Sequence, residues 1–260
     1  MNILITGITG FFGRNFVLYL LKNNIKCNII GTSHSELKLA HFRKIYPNIQ
    51  IYIVDLSSEQ FSYIIESIIQ NHKIDYIIHA AAMKHVDICQ NNPSMCLYTN
   101  IVASNILVNI AKRNNVINLI ALSTDKTNNP SNVYGASKYI MQEIVLVNNY
   151  SVYQGVNFFW SDGSVLDIWF NQYQKNLSIT IKNQNYIRYF NTIEYVCDLI
   201  FRNINKKGII YPEEVYMIKL KDLLDGFVEY FDYHQINIVE HNNYEKMIEQ
   251  TREDINKIQL

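Results

Sequence analysis

The sequence predicts a doubly wound α/β fold, a parallel sheet with helices on both faces, on three observations. Short apolar runs alternate with amphipathic helical segments through the first 150 residues. Those runs are nearly continuous rather than alternating, as expected for strands covered on both faces. A glycine-rich loop, Thr6-Gly7-Ile8-Thr9-Gly10-Phe11-Phe12-Gly13, joins the first run to the first helical segment.

Taken in order, residues 2–6 (NILIT) form a buried strand that runs into the glycine loop, and residues 11–23 form the helix after it. Residues 27–31 (CNIIG) make the second strand. Residues 35–46 make a helix that stops before Pro47, because the residue preceding a proline is driven out of the helical region. Residues 49–55 form a third strand. Residues 59–71 form a helix with Ile64, Ile65, Ile68 and Ile69 on one side. A fourth strand covers 75–81. A long helix covers 93–114, opened by Pro93, where a missing N–H costs nothing. Strand 116–123 and helix 134–149 complete the alternation. Right-handed crossovers then give a Rossmann-like sheet. Beyond residue 151 the pattern is less regular. Strand-like pieces at 178–181 and 209–211 mix with helices at 192–203, 220–231 and 244–257. The chain therefore reads as a dinucleotide-binding core over residues 1–150, followed by residues 151–260, which carry the remaining strands and a small C-terminal substrate lobe.

Composition narrows the function classes. Of 260 residues, 48% are hydrophobic and 18% charged, which allows a large core and excludes wholesale disorder. Lys+Arg and Asp+Glu both number 23, so nothing suggests a nucleic-acid partner, which would require an excess of cations. No apolar run approaches the roughly 20 residues that span a bilayer, and no signal peptide is apparent. These features give the expectation of a cytoplasmic protein without a membrane partner. Cys27, Cys89, Cys96 and Cys197 have no metal-ligand spacing and read as reduced thiols in or near the core, with no metal site.

The loop fits TGxxGxxG between a strand and a helix. Glycines there permit a tight turn and let backbone N–H groups approach a pyrophosphate at a helix N-terminus. Gly7, Thr9, Gly10, Phe11, Phe12 and Gly13 are thus expected to hold a dinucleotide. The acid that would grip an NAD ribose at the end of the second strand is missing; Gly31-Thr32-Ser33-His34-Ser35 stands there. Ser33 and a partly charged His34 suit a 2′-phosphate better, which favours NADP over NAD. His34 reads equally well as a solvated loop residue. Asp55, followed by Leu56, is placed against the adenine, or else serves as a helix N-terminal acid near Ser57 and Ser58.

Tyr134 and Lys138, at i and i+4, share a helix face. A nearby ammonium and a positive nicotinamide would favour the phenolate, so Tyr134 suits proton exchange with a substrate alcohol. Ser123-Thr124-Asp125-Lys126 ends the fifth strand, where ligands of open α/β sheets bind. Thr124 offers a hydroxyl to the reacting alcohol. Asp125 and Lys126 read either as the acid and base that a dehydration needs beyond the redox step, or as a surface turn before Asn128-Asn129-Pro130.

At these residues the sequence resembles the extended short-chain dehydrogenase/reductase superfamily, and within it the inverting UDP-N-acetylglucosamine 4,6-dehydratases of capsule and flagellin glycosylation. The resemblance rests on His79-Ala80-Ala81-Ala82-Met83-Lys84-His85-Val86, on Asn92-Pro93 through Thr99-Asn100-Ile101, and on Ala121 to Lys126 continuing to Tyr134-Gly135-Ala136-Ser137-Lys138. It is strong over residues 1–150 and thins beyond. It implies a UDP-sugar substrate and an NADP that stays bound through each cycle. Tyr134 would deprotonate the sugar 4-hydroxyl, and Lys126 would remove the C5 proton. Asp125 would protonate the departing 6-hydroxyl, Thr124 would orient the 4-hydroxyl, and Lys138 would hold the nicotinamide ribose. Ala80, Ala81 and Ala82 would line the cofactor, and Lys84, Asn157 and Arg188 the substrate. It also implies a homo-oligomer paired through the helices at 93–114 and 134–149.

Some family features are absent. Where the family has Arg-Tyr-Gly-Asn, this chain has Gln154-Gly155-Val156-Asn157. A later arginine is replaced by Asp162, and the C-terminal Arg-Pro-Gly-Glu-Lys element by Asn242-Asn243-Tyr244-Glu245-Lys246. Arginines suit diphosphates because they offer charged, bidentate donors. The expected activity is therefore 4,6-dehydration of a UDP-N-acetylhexosamine. The alternatives are a sugar-nucleotide epimerase or 4-ketoreductase, or a catalytically silent, cofactor-binding relative.

Overall fold

The computed structural model describes residues 1–181 and 183–238. The helix expected at 244–257 and the element at 242–246 lie outside the described residues. The strands in chain order are β1 (Asn2–Thr6), β2 (Asn28–Ser33), β3 (Gln50–Ile53), β4 (Tyr76–His79), β5 (Asn118–Thr124), β6 (Ser151–Gly155), β7 (Asn157–Phe158), β8 (Ile179–Ile181), β9 (Ile187–Asn191), β10 (Gly208–Ile210), β11 (Tyr216–Lys219) and β12 (Ile236–Ile238). The helices are α1 (Phe11–Lys22), α2 (Glu36–Ile45), α3 (Phe61–Asn71), α4 (Val86–Asn91), α5 (Pro93–Leu97), α6 (Ala103–Arg113), α7 (Val133–Val147), α8 (Val165–Gln174), α9 (Ile193–Arg202) and α10 (Leu220–Phe231).

The chain forms two compact units. The first comprises Met1–Gly155 and Glu194–Pro212, so it takes in β6, α9 and β10 as well as the N-terminal alternation. Its seven strands are all parallel in the order β10-β6-β5-β4-β1-β2-β3. The expected doubly wound, Rossmann-like sheet is thus the observed one. β1 lies inside the sheet between β4 and β2, and its Ile3, Leu4 and Ile5 are fully buried. One core layer gathers Phe61, Ile65 and Ile68 of α3, Leu107 and Val108 of α6, and Met141 and Val145 of α7 over Leu4, Ile77, Leu119 and Val152 of the sheet.

The single helix expected at 93–114 is built differently. A separate short helix, α4, precedes it, and α5 passes into α6 through a π-helical turn at Tyr98–Val102. The continuous helical run Pro93–Arg113 is 21 residues long and, by length and composition alone, apolar enough to cross a membrane, contrary to the expectation from sequence. In the fold its Ala103, Leu107, Val108, Ile110 and Ala111 are buried in the sheet core instead. Met95, Leu97, Tyr98 and Val102 stay exposed along the same run. All four cysteines are free thiols, and Cys89, Cys96 and Cys197 are buried.

The second unit takes Val156–Ile193 and the chain from Glu213 onward. Its β7, β9 and β11 form a small sheet, and β8 pairs with β12. Trp169, Ile179, Ile181, Leu220, Leu224 and Phe227 form its core, with the Trp169 indole donating to the Thr180 carbonyl at 3.0 Å.

Candidate active site

The glycine loop has the geometry of a phosphate cradle. Gly7 has a φ of +71°, and a Cβ on it would stand 3.0 Å from the Ala81 backbone. On Gly13 a Cβ would stand 2.6 Å from the Gly7 carbonyl oxygen and from Ile8 Cα, so only glycine fits where α1 closes on the loop. Gly10 precedes α1 with no side-chain cap, and a helix N-terminus at this loop suits an anion. Phe12 stacks on Phe16 with ring centroids 5.5 Å apart and is buried, so it can offer a ligand only its backbone.

The rim at the end of β2 is tied together by local hydrogen bonds. Ser33 is turned inward: its hydroxyl is 2.7 Å from the Thr9 hydroxyl and accepts from the Ser35 amide at 3.3 Å. His34 is exposed and close enough to Asp55 for its charge to help lower the Asp55 pKa. The larger cause there is Ser57, whose hydroxyl and amide both donate to Asp55 Oδ1, at 2.7 and 2.8 Å. Asp55 therefore acts as the turn acid before α3, with Leu56 half-buried beside the core. A residue the sequence reading passed over stands at the same rim. Arg14, directly after the third glycine, donates from Nη1 to the Thr9 carbonyl at 2.9 Å, which brings a permanent cation to the Thr9–Ser33 contact.

The segment after β4 is held from inside. Asn100, in the π-helical turn and 1% exposed, accepts from the Met83 amide at 2.9 Å and donates to the Met83 carbonyl and the Ser137 hydroxyl, both at 3.0 Å. One asparagine thus ties the Ala80–Ala81–Ala82–Met83 strand end to α7. Its only sequence signal was membership of the Thr99-Asn100-Ile101 segment. His79 bridges the Thr6 hydroxyl at 2.7 Å and the Ser104 hydroxyl at 2.9 Å, and burial drives its pKa down to about 3, so it is a neutral core residue. Lys84 is exposed.

The end of β5 and the start of α7 bring the proton-handling groups together. Asn132 caps α7 by accepting from the Gly135 amide at 2.9 Å. That cap places Tyr134 at the start of α7, near enough to Thr124 and Asp125 at the end of β5 for both to act on its pKa. Thr124 donates in turn to Asp125 Oδ1 at 2.9 Å, and Lys126 Nζ lies 3.6 Å from the same oxygen. Thr124, Asp125 and Lys126 form one connected cluster with Tyr134 close by, and Asp125 is only 4% exposed. Burial, then the Asp125 charge, raise the Tyr134 pKa, so the phenol is held protonated. Lys138, 5% exposed, has its pKa lowered to about 8 by burial. Gln154, in the place of a family arginine, donates to the Thr127 hydroxyl at 2.9 Å and fixes the turn that carries Asp125.

Asn157 and Arg188 belong to the second unit. The Asn157 amide donates to the Tyr189 carbonyl at 2.9 Å, and the Arg188 guanidinium lies 5.1 Å from the centre of the Tyr186 ring.

Residues 3–257 match the family described as polysaccharide biosynthesis protein. An inverting UDP-N-acetylglucosamine 4,6-dehydratase of Campylobacter jejuni is 33% identical over an alignment of 239 residues that covers 85% of this chain and 69% of that protein. A UDP-glucose 4-epimerase of Rickettsia bellii is 31% identical over an alignment of 213 residues that covers 76% of this chain and 61% of the epimerase. A solved dTDP-glucose 4,6-dehydratase of Streptomyces venezuelae, with NAD bound, shares the fold: TM-score 0.83 over 93% of this chain and 85% of that one, at 16% identity.

Proposed function

This chain belongs to the polysaccharide biosynthesis protein family, and on that premise we propose that it is an NADP-dependent sugar-nucleotide lyase. Its reaction is the 4,6-dehydration of a UDP-N-acetylhexosamine, with UDP-N-acetylglucosamine the first candidate, to a 4-keto-6-deoxy product for surface glycan synthesis. The observation that carries the reading is that Tyr134 stands close to Thr124, which is bonded to the buried Asp125 carboxyl, and that the Lys126 nitrogen lies 3.6 Å from that same carboxyl. A simple alcohol oxidation needs the tyrosine alone, whereas elimination needs both further groups.

When bound in the glycine cradle, the dinucleotide would supply the hydride acceptor and donor and a positive ring that draws the Tyr134 pKa back down. Thr124 orients the sugar 4-hydroxyl, and Tyr134 takes its proton. Lys126, as the neutral amine, removes the C5 proton acidified by the new ketone. Asp125, as the acid, protonates the departing 6-hydroxyl, and reprotonation on the opposite face would invert C5. Lys138 holds the nicotinamide ribose. NADP is preferred because no acid ends β2 and because Arg14 brings its cation there. Lys84, Asn157 and Arg188 are the proposed substrate contacts. The exposed apolar residues Met95, Leu97, Tyr98 and Val102, with Tyr139, Ile140 and Val147 of α7, suit pairing of copies in the cytoplasm.

Incubation with UDP-N-acetylglucosamine, followed by NMR of the sugar, tests the reading. A 4-keto-6-deoxy product without added reductant supports it. Consumption of added NADPH, or C4 inversion without loss of water, overturns it for a ketoreductase or an epimerase, the latter favoured by the identity to the Rickettsia epimerase. No turnover with cofactor bound overturns it for a silent relative.

A further inference from the structure

The C-terminal end of β6 carries a buried hydroxyl to which the proposed mechanism gives no role. Tyr153 is 1% exposed, and its Oη has no hydrogen-bond partner among the described residues. The phenol lies along its own strand over Gly155: a Cβ added there would stand 2.2 Å from Oη, so glycine at 155 makes the room. The register pairs Leu122 with Tyr153 and Thr124 with Gly155. Paired residues of a parallel ladder face the same side of the sheet, and neighbouring strands lie about 4.8 Å apart. The phenol end therefore sits beside the Thr124 side chain, which is bonded to Asp125. Burial first, then Tyr195, Cys197 and Asp125, raise the Tyr153 pKa, so its O–H stays a donor. An unmatched buried hydroxyl costs stability, and phenylalanine would fill the same space without it.

We propose that Tyr153 is a positioning residue for the elimination, donating its O–H to the Asp125 carboxylate as that group gives up its proton. The inference rests on the dehydration reading above. In that step Lys126 takes the C5 proton, and the C5–H electrons form the C5–C6 double bond. The C6–O bond breaks with its electron pair on oxygen, and the Asp125 proton completes a water molecule. The charge left on Asp125 is what Tyr153 stabilises, and Tyr153 itself keeps its proton.

The test compares Tyr153→Phe with the unaltered chain on UDP-N-acetylglucosamine and on its 6-deoxy-6-fluoro analogue, from which fluoride leaves without needing the carboxyl proton. The variant should lose roughly ten- to a hundredfold in kcat on the hydroxyl substrate, the worth of a hydrogen bond to a charged group. Fluoride release should change less than about twofold, and Tm should be equal or higher. Gly155→Ala, which displaces the phenol, should show the same selective loss. Equal slowing on both substrates, or on neither, overturns the proposal while leaving the dehydration reading intact. Failure of the unaltered chain to release water overturns both.

Discussion

Replacing Lys138 with methionine should stabilise the cofactor-free protein at neutral pH, by an amount that shrinks as pH rises. The Lys138 ammonium is 5% exposed, and burial lowers its pKa from 10.5 to about 8. At about 1.4 kcal/mol per pKa unit, holding that charge inside costs the folded state about 3 kcal/mol. Below pH 8 the folded and unfolded chains both carry the proton, so the full cost is present. Between about 8 and 10.5 the unfolded chain binds more protons than the folded one, so wild-type stability rises with pH. Methionine carries no such charge and keeps most of the lysine's bulk. Its advantage should be near 3 kcal/mol at pH 6.5, on the order of the cost above, and less than half of that at pH 9.5. Urea unfolding followed by circular dichroism at the two pH values measures both. A variant less stable than wild type at pH 6.5, or an advantage unchanged at pH 9.5, would refute the burial account. The variant should also lose activity, because a charge kept at such a cost serves the site rather than the fold.

Lys126→Ala should abolish loss of water from the sugar while leaving cofactor affinity intact; retained elimination would remove Lys126 from the mechanism. Gly13→Ala puts a Cβ 2.6 Å from backbone atoms. It should cost about 2 kcal/mol or more of stability and weaken dinucleotide binding in equilibrium dialysis. Asn100→Ala removes three internal hydrogen bonds. It should cost about 1–3 kcal/mol, with hydrogen exchange rising at Met83. Arg14→Ala should weaken NADP binding at least about tenfold and NAD binding far less; equal loss for both would place the specificity elsewhere.

The core strands were legible because each is a run of apolar residues that the sheet buries on both faces. β1 and the glycine loop are the clearest case, since Gly7 and Gly13 are required by contacts with Ala81 and Ile8. β6 was harder to read because its Tyr153 and Gln154 are inward-facing polar residues that break the apolar pattern. α4 has too few turns for a helical period to show, and α8 hides in an aromatic stretch without clear alternation. In the site, Tyr134 and Lys138 announced themselves through helical spacing. Arg14 and Asn100 did not, because their partners, Thr9 across the loop and Met83 seventeen positions away, are visible only once the chain has folded. The contact between the Ser33 and Thr9 hydroxyls was hidden for a related reason: the two residues lie far apart in the chain and meet only in the fold.

The wide turn at Tyr98–Val102 sets the phase of everything on its N-terminal side. Such a turn accommodates an extra amino acid in the spiral, and each residue of an α-helix advances the azimuth by about 100°. Winding residues 98–102 into regular α-helix with all five amino acids kept would give a more regular rod, yet it would swing Pro93–Leu97 around by roughly that angle. Cys96 would leave its seat 3.5 Å from the Ser137 hydroxyl, and Leu97 and Met95 would trade places with the buried side. Straightening this helix by design would therefore rebuild the floor beneath the tyrosine and lysine of α7.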